Sequence, residues 1–161
     1  MDKAEFHTVR GYQLLEQNKK LLTSAMEDYL EMISRNILKG GYLRINKLAE
    51  LLNVKASSAS KMVQKLGELG LLKYERYGIV ILTDNGRELG GYLLNRHNII
   101  EKFLRTIGIT ENLLEETELI EHNISSKTLG NIRILNEFFE KKPEVLDSFE
   151  EFKKGYEAAK M

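Results

Sequence analysis

Residues 45–83, INKLAELLNVKASSASKMVQKLGELGLLKYERYGIVILT, decide the architecture. Ile45, Leu48, Ala49, Leu51 and Leu52 share a short helix, and the turn NVKAS at 53–57 follows it. Residues 57–70 then repeat apolar side chains at Met62, Val63, Leu66 and Leu69, the spacing of a second helix with one inward face. Two short helices across a tight turn make a helix-turn-helix. Directly after them come two β-prone runs, 71–75 and 79–82, separated by Arg76-Tyr77-Gly78, which reads as a hairpin with glycine in the turn. A hairpin in that place is a wing.

Working upstream, Thr23 is an N-cap for a helix whose apolar residues recur at Met26, Tyr29, Leu30, Ile33 and Ile37, and Gly40-Gly41 stops it. Within residues 1–22, Phe6, Val9, Tyr12 and Leu15 fall three apart, so a short amphipathic helix is expected to end near Asn18-Lys19-Lys20. Its apolar face suits either a dimer contact or packing on the winged domain. Downstream, Thr83 caps a long helix carrying Leu89, Tyr92, Leu93, Ile99, Ile100, Phe103 and Leu104, with Gly108 as its stop. Three further helical segments follow, at 111–124, at 125–142 and from Pro143 onward. The expected fold is therefore mainly α: an N-terminal helical extension over 1–22, a winged helix-turn-helix domain with a small β-hairpin wing over 23–88, and a helical domain over 89–161.

Composition narrows the chemistry. The 161 residues are 42% apolar and 30% charged with a single proline, the balance of an ordered, helix-rich globular chain. No stretch approaches the roughly 18 to 20 apolar residues of a membrane span, and the N-terminus lacks the apolar core of a secretory signal, so a cytoplasmic protein is expected. Cysteine is absent, which removes disulfides, thiolate ligands and thiol nucleophiles; a metal would have to be held by carboxylates and histidines.

The formal net charge is zero, but the charges are unevenly placed. Between Arg35 and Arg76 nine basic residues (Arg35, Lys39, Arg44, Lys47, Lys55, Lys61, Lys65, Lys73, Arg76) face three acidic ones (Glu50, Glu68, Glu75). A local surplus of that kind follows a phosphate backbone. The second helix of the helix-turn-helix opens with Ser57, Ser58 and Ser60, small hydroxyl residues that let backbone amides approach phosphate, and continues with Lys61, Gln64 and Lys65 opposite its apolar face. Gln64 is the residue best suited to a paired hydrogen bond with adenine. Lys61, Lys65, Lys47, Arg44, Arg76 and Tyr77 are candidates for contacts to the DNA backbone. Any one of these lysines alone is ordinary solvated surface; the arrangement as a whole points to double-stranded DNA.

From Glu111 to His122 the bias reverses, with glutamate at 111, 115, 116, 118 and 121 and no lysine or arginine. Glu118, Glu121 and His122 stand at i, i+3 and i+4, which brings two carboxylates and an imidazole to one helical turn, a good chelate for a cation. Asp28 and Glu31, three apart on the first helix of the winged domain, share a face, although paired acids are usually mere surface. His97 offers either another nitrogen or a packed imidazole.

Taken together, SAMEDYLEMI at 24–33, VKASSASKMVQKLGELGLLKYERYGIVILTDNG at 54–86, NRHNIIEKFLRTIG at 95–108 and ELIEHNIS at 118–125 resemble the manganese transport regulator branch of the diphtheria-toxin-repressor-like family of metalloregulators. The likeness covers about residues 23 to 140. It implies a homodimeric transcriptional repressor, controlling metal-uptake genes through an operator, with a binuclear metal site. The implied ligands are Asp28, Glu31, His97, Glu118, Glu121 and His122; Glu101, one turn after His97, stands where it can serve as an accessory ligand or support a ligand from behind. Four carboxylates among these balance two divalent ions per subunit. The iron-sensing branch places a sulfur-bearing residue where Asp28 and Glu118 stand and a histidine where Leu114 stands. Oxygen-rich ligation favours Mn²⁺, with Fe²⁺, Zn²⁺ and other divalent ions as the alternatives. Metal is then expected to fasten the first helix to the dimerisation helices, setting two recognition helices about 34 Å apart for successive major grooves.

Two other classes compete: a winged-helix regulator answering to iron, an organic ligand or none, and a di-metal carboxylate enzyme. The Glu-x-x-His signature of such enzymes needs a carboxylate at 119, and this chain has Leu119. A non-enzymatic regulator is the expected class.

Overall fold

Periodic apolar residues and a few well-placed caps explain most of the elements. The computed structural model describes residues 3–37 and 41–160; Lys39 and Gly40 fall outside them, as does the side chain of Phe6. The chain divides into two compact units, Met1–Arg96 and His97–Met161.

The first unit begins with α1 (Lys3–Asn18) and α2 (Ser24–Ile37). The Thr23 hydroxyl accepts a hydrogen bond from the Met26 amide at 3.3 Å, capping α2, and Met26, Tyr29, Leu30, Ile33 and Ile37 are all buried. After Gly41 come β1 (Leu43–Arg44), α3 (Ile45–Leu51) and α4 (Ala56–Glu68). The turn between these helices passes through Asn53 in the left-handed region, and Ala59, Val63 and Leu66 anchor α4 with no exposure at all. Met62 and Leu69, expected to face inward, are only half-buried.

The wing comprises β2 (Leu72–Glu75), a tight turn at Arg76–Gly78 and β3 (Ile79–Leu82), paired antiparallel with Tyr74 opposite Val80. It is larger than the expected hairpin. Strand β1 adds to the other side of β3, Leu43 opposite Val80 and Arg44 opposite Ile79, giving the order β1-β3-β2. Two residues, one buried and one exposed, are too few to carry a strand period, which hides β1 in the sequence.

Thr83 joins wing to helix. Its hydroxyl donates to the Gly70 carbonyl at 2.7 Å and accepts from the Gly86 amide at 3.0 Å, so one side chain both caps α5 (Asp84–Thr106) and ties its start to the end of α4. As far as Arg96, α5 belongs to the first unit and buries Leu89, Tyr92 and Leu93 there.

Helix α1 lies against α5. The Tyr12 and Tyr92 rings sit 6.0 Å apart, and a Cβ at Gly11 would come 2.4 Å from Tyr92 Cβ and 2.7 Å from the Glu88 carbonyl oxygen. Val9, expected on the apolar face, is instead 48% exposed, because the contact is centred on Gly11 and Tyr12. Gly11→Val is therefore expected to lift α1 away, costing about 1–3 kcal/mol of local stability. Hydrogen–deuterium exchange checks this: amides of α1 should exchange faster while those of α2 and α4 do not change.

In the second unit the remainder of α5 packs with α6 (Leu113–Glu121), α7 (Ser126–Lys141) and α8 (Pro143–Ala158). Ile100, Leu104 and Leu129 form its apolar centre. Buried Asn136 donates from Nδ2 to the Ile99 carbonyl at 2.9 Å, and Lys153 Nζ donates to the Ile107 carbonyl at 3.0 Å, closing the end of α5 with a positive charge. Ser125 caps α7 through the Thr128 amide at 3.2 Å. Among the described residues, no helix is long and apolar enough to cross a membrane.

Candidate DNA-reading surface and metal centre

Burial of Ala59, Val63 and Leu66 fixes the rotation of α4, and this leaves Ser57, Ser58, Lys61, Gln64 and Lys65 exposed. Lys55, at the N-cap of α4, makes no side-chain cap bond, so the first-turn amides are not capped by that residue. Ser60 differs from its neighbours: it is half-buried, with Oγ 3.2 Å from the Tyr74 hydroxyl on β2, a link between recognition helix and wing. Arg44 is exposed on β1. At the wing tip Arg76 and Tyr77 are exposed, Tyr77 to 89%, with Tyr77 at φ +64° and Gly78 at φ +71°.

Two cations in the basic segment already have acidic partners. Lys47 Nζ lies 2.7 Å from Glu50 Oε2, and this hydrogen bond and charge hold the Glu50 carboxyl below the usual carboxylate range. Arg35 donates to Glu31 at 2.8 Å, so it serves the acidic face of α2.

That face carries Asp28, half-buried, and Glu31, 9% exposed. In the second unit, α5 and α6 bring a tighter group together. The His97 side chain is 4% exposed; its Nδ1 lies 3.0 Å from Glu121 Oε2, and its Nε2 lies 3.4 Å from Glu101 Oε2. Glu121, with 1% of its side chain exposed, also has His122 Nε2 at 3.8 Å from Oε1. Glu118, one turn earlier on α6, is exposed. Arg105 grips Glu101 Oε1 through Nε at 3.0 Å and Nη2 at 2.7 Å, and this holds the Glu101 carboxyl below its usual range despite partial burial.

A carboxyl group as deeply buried as Glu121 needs hydrogen-bond or charge partners close by. Its neighbours are imidazoles, which supply full charge only when protonated, whereas a divalent cation bound by carboxylate oxygen and imidazole nitrogen supplies it at neutral pH. The donor set, all oxygen and nitrogen with no sulfur, fits a hard or borderline divalent ion.

Sequence reasoning did not reach the charged partners of these acids. Glu31–Arg35 and Glu101–Arg105 are both i, i+4 pairs and legible as such. The Arg96–Glu27 pair, 2.6 Å apart in space and 69 residues apart in sequence, has no local signal.

Two family models match the chain in succession. One describes the iron dependent repressor N-terminal DNA binding domain, over residues 21–80, and the other the iron dependent repressor metal binding and dimerisation domain, over 83–150. The HTH-type transcriptional regulator MntR of Geobacillus kaustophilus is 40% identical over 136 residues, 84% of this chain and 96% of that protein. The MntR of Bacillus subtilis is 41% identical over 121 residues, 74% of this chain and 85% of that protein. Among solved structures, the manganese regulator SloR matches with a TM-score of 0.60 at 30% identity, covering 69% of this chain and 53% of that one. ScaR with bound Zn²⁺ matches with a TM-score of 0.58 at 30% identity, covering 70% and 54%. The chain thus aligns with about half the length of these two structures.

Proposed function

The chain belongs to the diphtheria-toxin-repressor-like family of iron-dependent repressors, in its manganese transport regulator branch, and on that premise we propose that Mn²⁺ is the ion it answers to, held at two positions in each subunit. It is a metal-dependent, DNA-binding repressor of metal homeostasis that acts as a homodimer. The proposed ligands are Asp28 and Glu31 from α2, His97 from α5, and Glu118, Glu121 and His122 from the α6 segment, with Glu101 as accessory. The observation that carries this reading is the buried Glu121 carboxylate flanked by the His97 and His122 imidazoles. Bound there, a divalent ion would supply positive charge to the buried Glu121 carboxylate.

The chain's own residues do the rest. Asp28 and Glu31 lie on a helix of the DNA-binding unit, and Glu121 and His122 in the unit that matches the metal binding and dimerisation domain, so shared ligation restricts how the recognition helices of a dimer are held. The exposed face of α4 then enters the major groove, where Gln64 reads bases. Ser57, Ser58, Ser60, Lys61 and Lys65, with Arg44, Lys47, Arg76 and Tyr77, meet the phosphates. Exposed Leu114, Leu119, Ile134 and Phe138 supply apolar surface in the dimerising unit. A palindromic operator in the cytoplasm is the proposed target.

Calorimetric titration with Mn²⁺, Fe²⁺ and Zn²⁺, run beside DNA binding, tests the proposal. The DNA is a duplex selected from a random-sequence pool by the Mn²⁺-loaded protein. Two Mn²⁺ per subunit and a gain in DNA affinity of at least tenfold over EDTA are expected, because a coupling of about 1.4 kcal/mol already gives that factor. Equal affinity in EDTA and in Mn²⁺ would remove the manganese reading.

A further inference from the structure

Helices α2 and α5 meet through an ion pair that the proposed metal chemistry does not use. Arg96 Nη2 donates to Glu27 Oε2 at 2.6 Å, with side-chain exposures of 4% for Arg96 and 12% for Glu27. Buried pairs of this kind are poor stabilisers, since desolvation offsets most of the attraction and apolar side chains of similar volume often do as well. This one is further handicapped: the Arg96 Nε is buried with no hydrogen-bond partner. What such a pair supplies is geometry, because a short charge-assisted bond has a direction and an apolar contact does not.

Its placement gives that geometry a use. Glu27 immediately precedes Asp28 on α2, and Arg96 immediately precedes His97 on α5. Side-chain atoms lie roughly 5–6 Å from a helix axis, so a 10° rotation of α2 moves its carboxylates by about 1 Å. Metal ligation tolerates only about 0.2 Å. The close approach of Gly90 to Ser34, where an added Cβ would fall 1.8 Å from Ser34 Oγ, sets how near the two helices come. A glycine contact sets the separation of the helices without giving it a direction, and the ion pair adds a directional restraint on their rotation.

We infer that Glu27 and Arg96 are positioning residues for the metal centre: their buried pair fixes the rotation of α2 relative to α5, and thereby aims Asp28 and Glu31. The inference rests on the metal reading given above. It separates two quantities that usually move together, fold stability and metal affinity.

The test replaces the pair by apolar side chains, Glu27→Met with Arg96→Met, in the full chain. Melting temperature without metal and Mn²⁺ affinity by calorimetry are both measured. The metal-free melting temperature is expected to equal or exceed that of the parent, while Mn²⁺ binds about 10- to 100-fold more weakly, the usual range for residues that orient ligands. Should that variant not fold, Arg96→Lys, which keeps the charge and changes its geometry, is read the same way, with at least a threefold loss expected. Mn²⁺ affinity within twofold of the parent in a folded variant overturns the inference, whatever its melting temperature. A parent that fails to bind Mn²⁺ at all removes the metal reading itself, and the two failures are distinct.

Discussion

Glu121→Ala is expected to abolish Mn²⁺-dependent DNA binding while leaving the metal-free chain folded. The glutamate stands between two imidazoles, with His97 Nδ1 at 3.0 Å and His122 Nε2 at 3.8 Å, and no more than 1% of its side chain reaches solvent. Alanine deletes the oxygens nearest both nitrogens, and a histidine pair alone cannot replace the hard donor that Mn²⁺ prefers. Folding itself suffers less, since the buried charge goes together with its own desolvation cost, which offsets the loss of the His97 and His122 contacts. Linkage makes the contrast measurable: at a hundredfold excess over its dissociation constant, a bound ion stabilises the folded state by about 2.7 kcal/mol. Mn²⁺ should therefore raise the melting temperature of the parent and leave that of the variant unmoved, with far-UV circular dichroism unchanged. A variant that keeps the parent's Mn²⁺-induced shift would show that Glu121 is no ligand.

Gly90→Val is the second large effect, and it acts on the fold. A Cβ at this position would stand 1.8 Å from Ser34 Oγ, 3.0 Å from Ser34 Cβ and 3.4 Å from the Leu30 carbonyl oxygen. Rotating the serine relieves only the first contact; the tight approach to Ser34 Cβ remains and the γ-methyls of valine need further room, so α2 and α5 are pushed apart, two helices that bury Leu30, Ile33, Leu89 and Leu93 at zero exposure. Overpacking of this kind costs about 3 kcal/mol at the upper end of its range. For a chain of this size that lowers the melting temperature by roughly 6–12 °C. Gly90→Ala should cost less, and adding Ser34→Gly to it should restore most of the loss by emptying the space the new methyl needs. A thermal melt of the three variants decides the matter; no rescue would place the strain elsewhere.

Much of this fold was readable in advance, and the exceptions share a cause. Helices α2 and α4 announce themselves because their apolar residues fall at helical spacing, and the caps Thr23 and Thr83 because hydroxyl residues stand immediately before such runs. The wing is visible in Arg76-Tyr77-Gly78 between two β-prone runs. Strand β1 is not, since its partner residues lie about 36 positions away and it is too short to show alternation. Spacing misplaces Val9 for a similar reason: the contact surface of α1 is defined by Gly11, which lets Tyr92 in, and hydropathy gives glycine no weight.

The candidate site divides the same way. Spacing alone marks Glu118, Glu121 and His122 as a chelate, but nothing in spacing connects them to His97, 24 residues before Glu121, or to Asp28 and Glu31. The family resemblance proposes that link; the 3.0 Å separation of His97 from Glu121 is its first physical support within one unit. Arg96 escaped notice because a single buried arginine looks, in sequence, like any other.

One consequence of the wing concerns light. The chain contains no tryptophan, and its near-ultraviolet emission comes from seven tyrosines, of which Tyr77 at the wing tip is the most exposed. An indole installed at position 77 would be the sole fluorophore excitable at the red edge of protein absorption. Its colour would move to the blue as the wing leaves water, so the docking of the wing alone could be timed, independently of whatever else the dimer does.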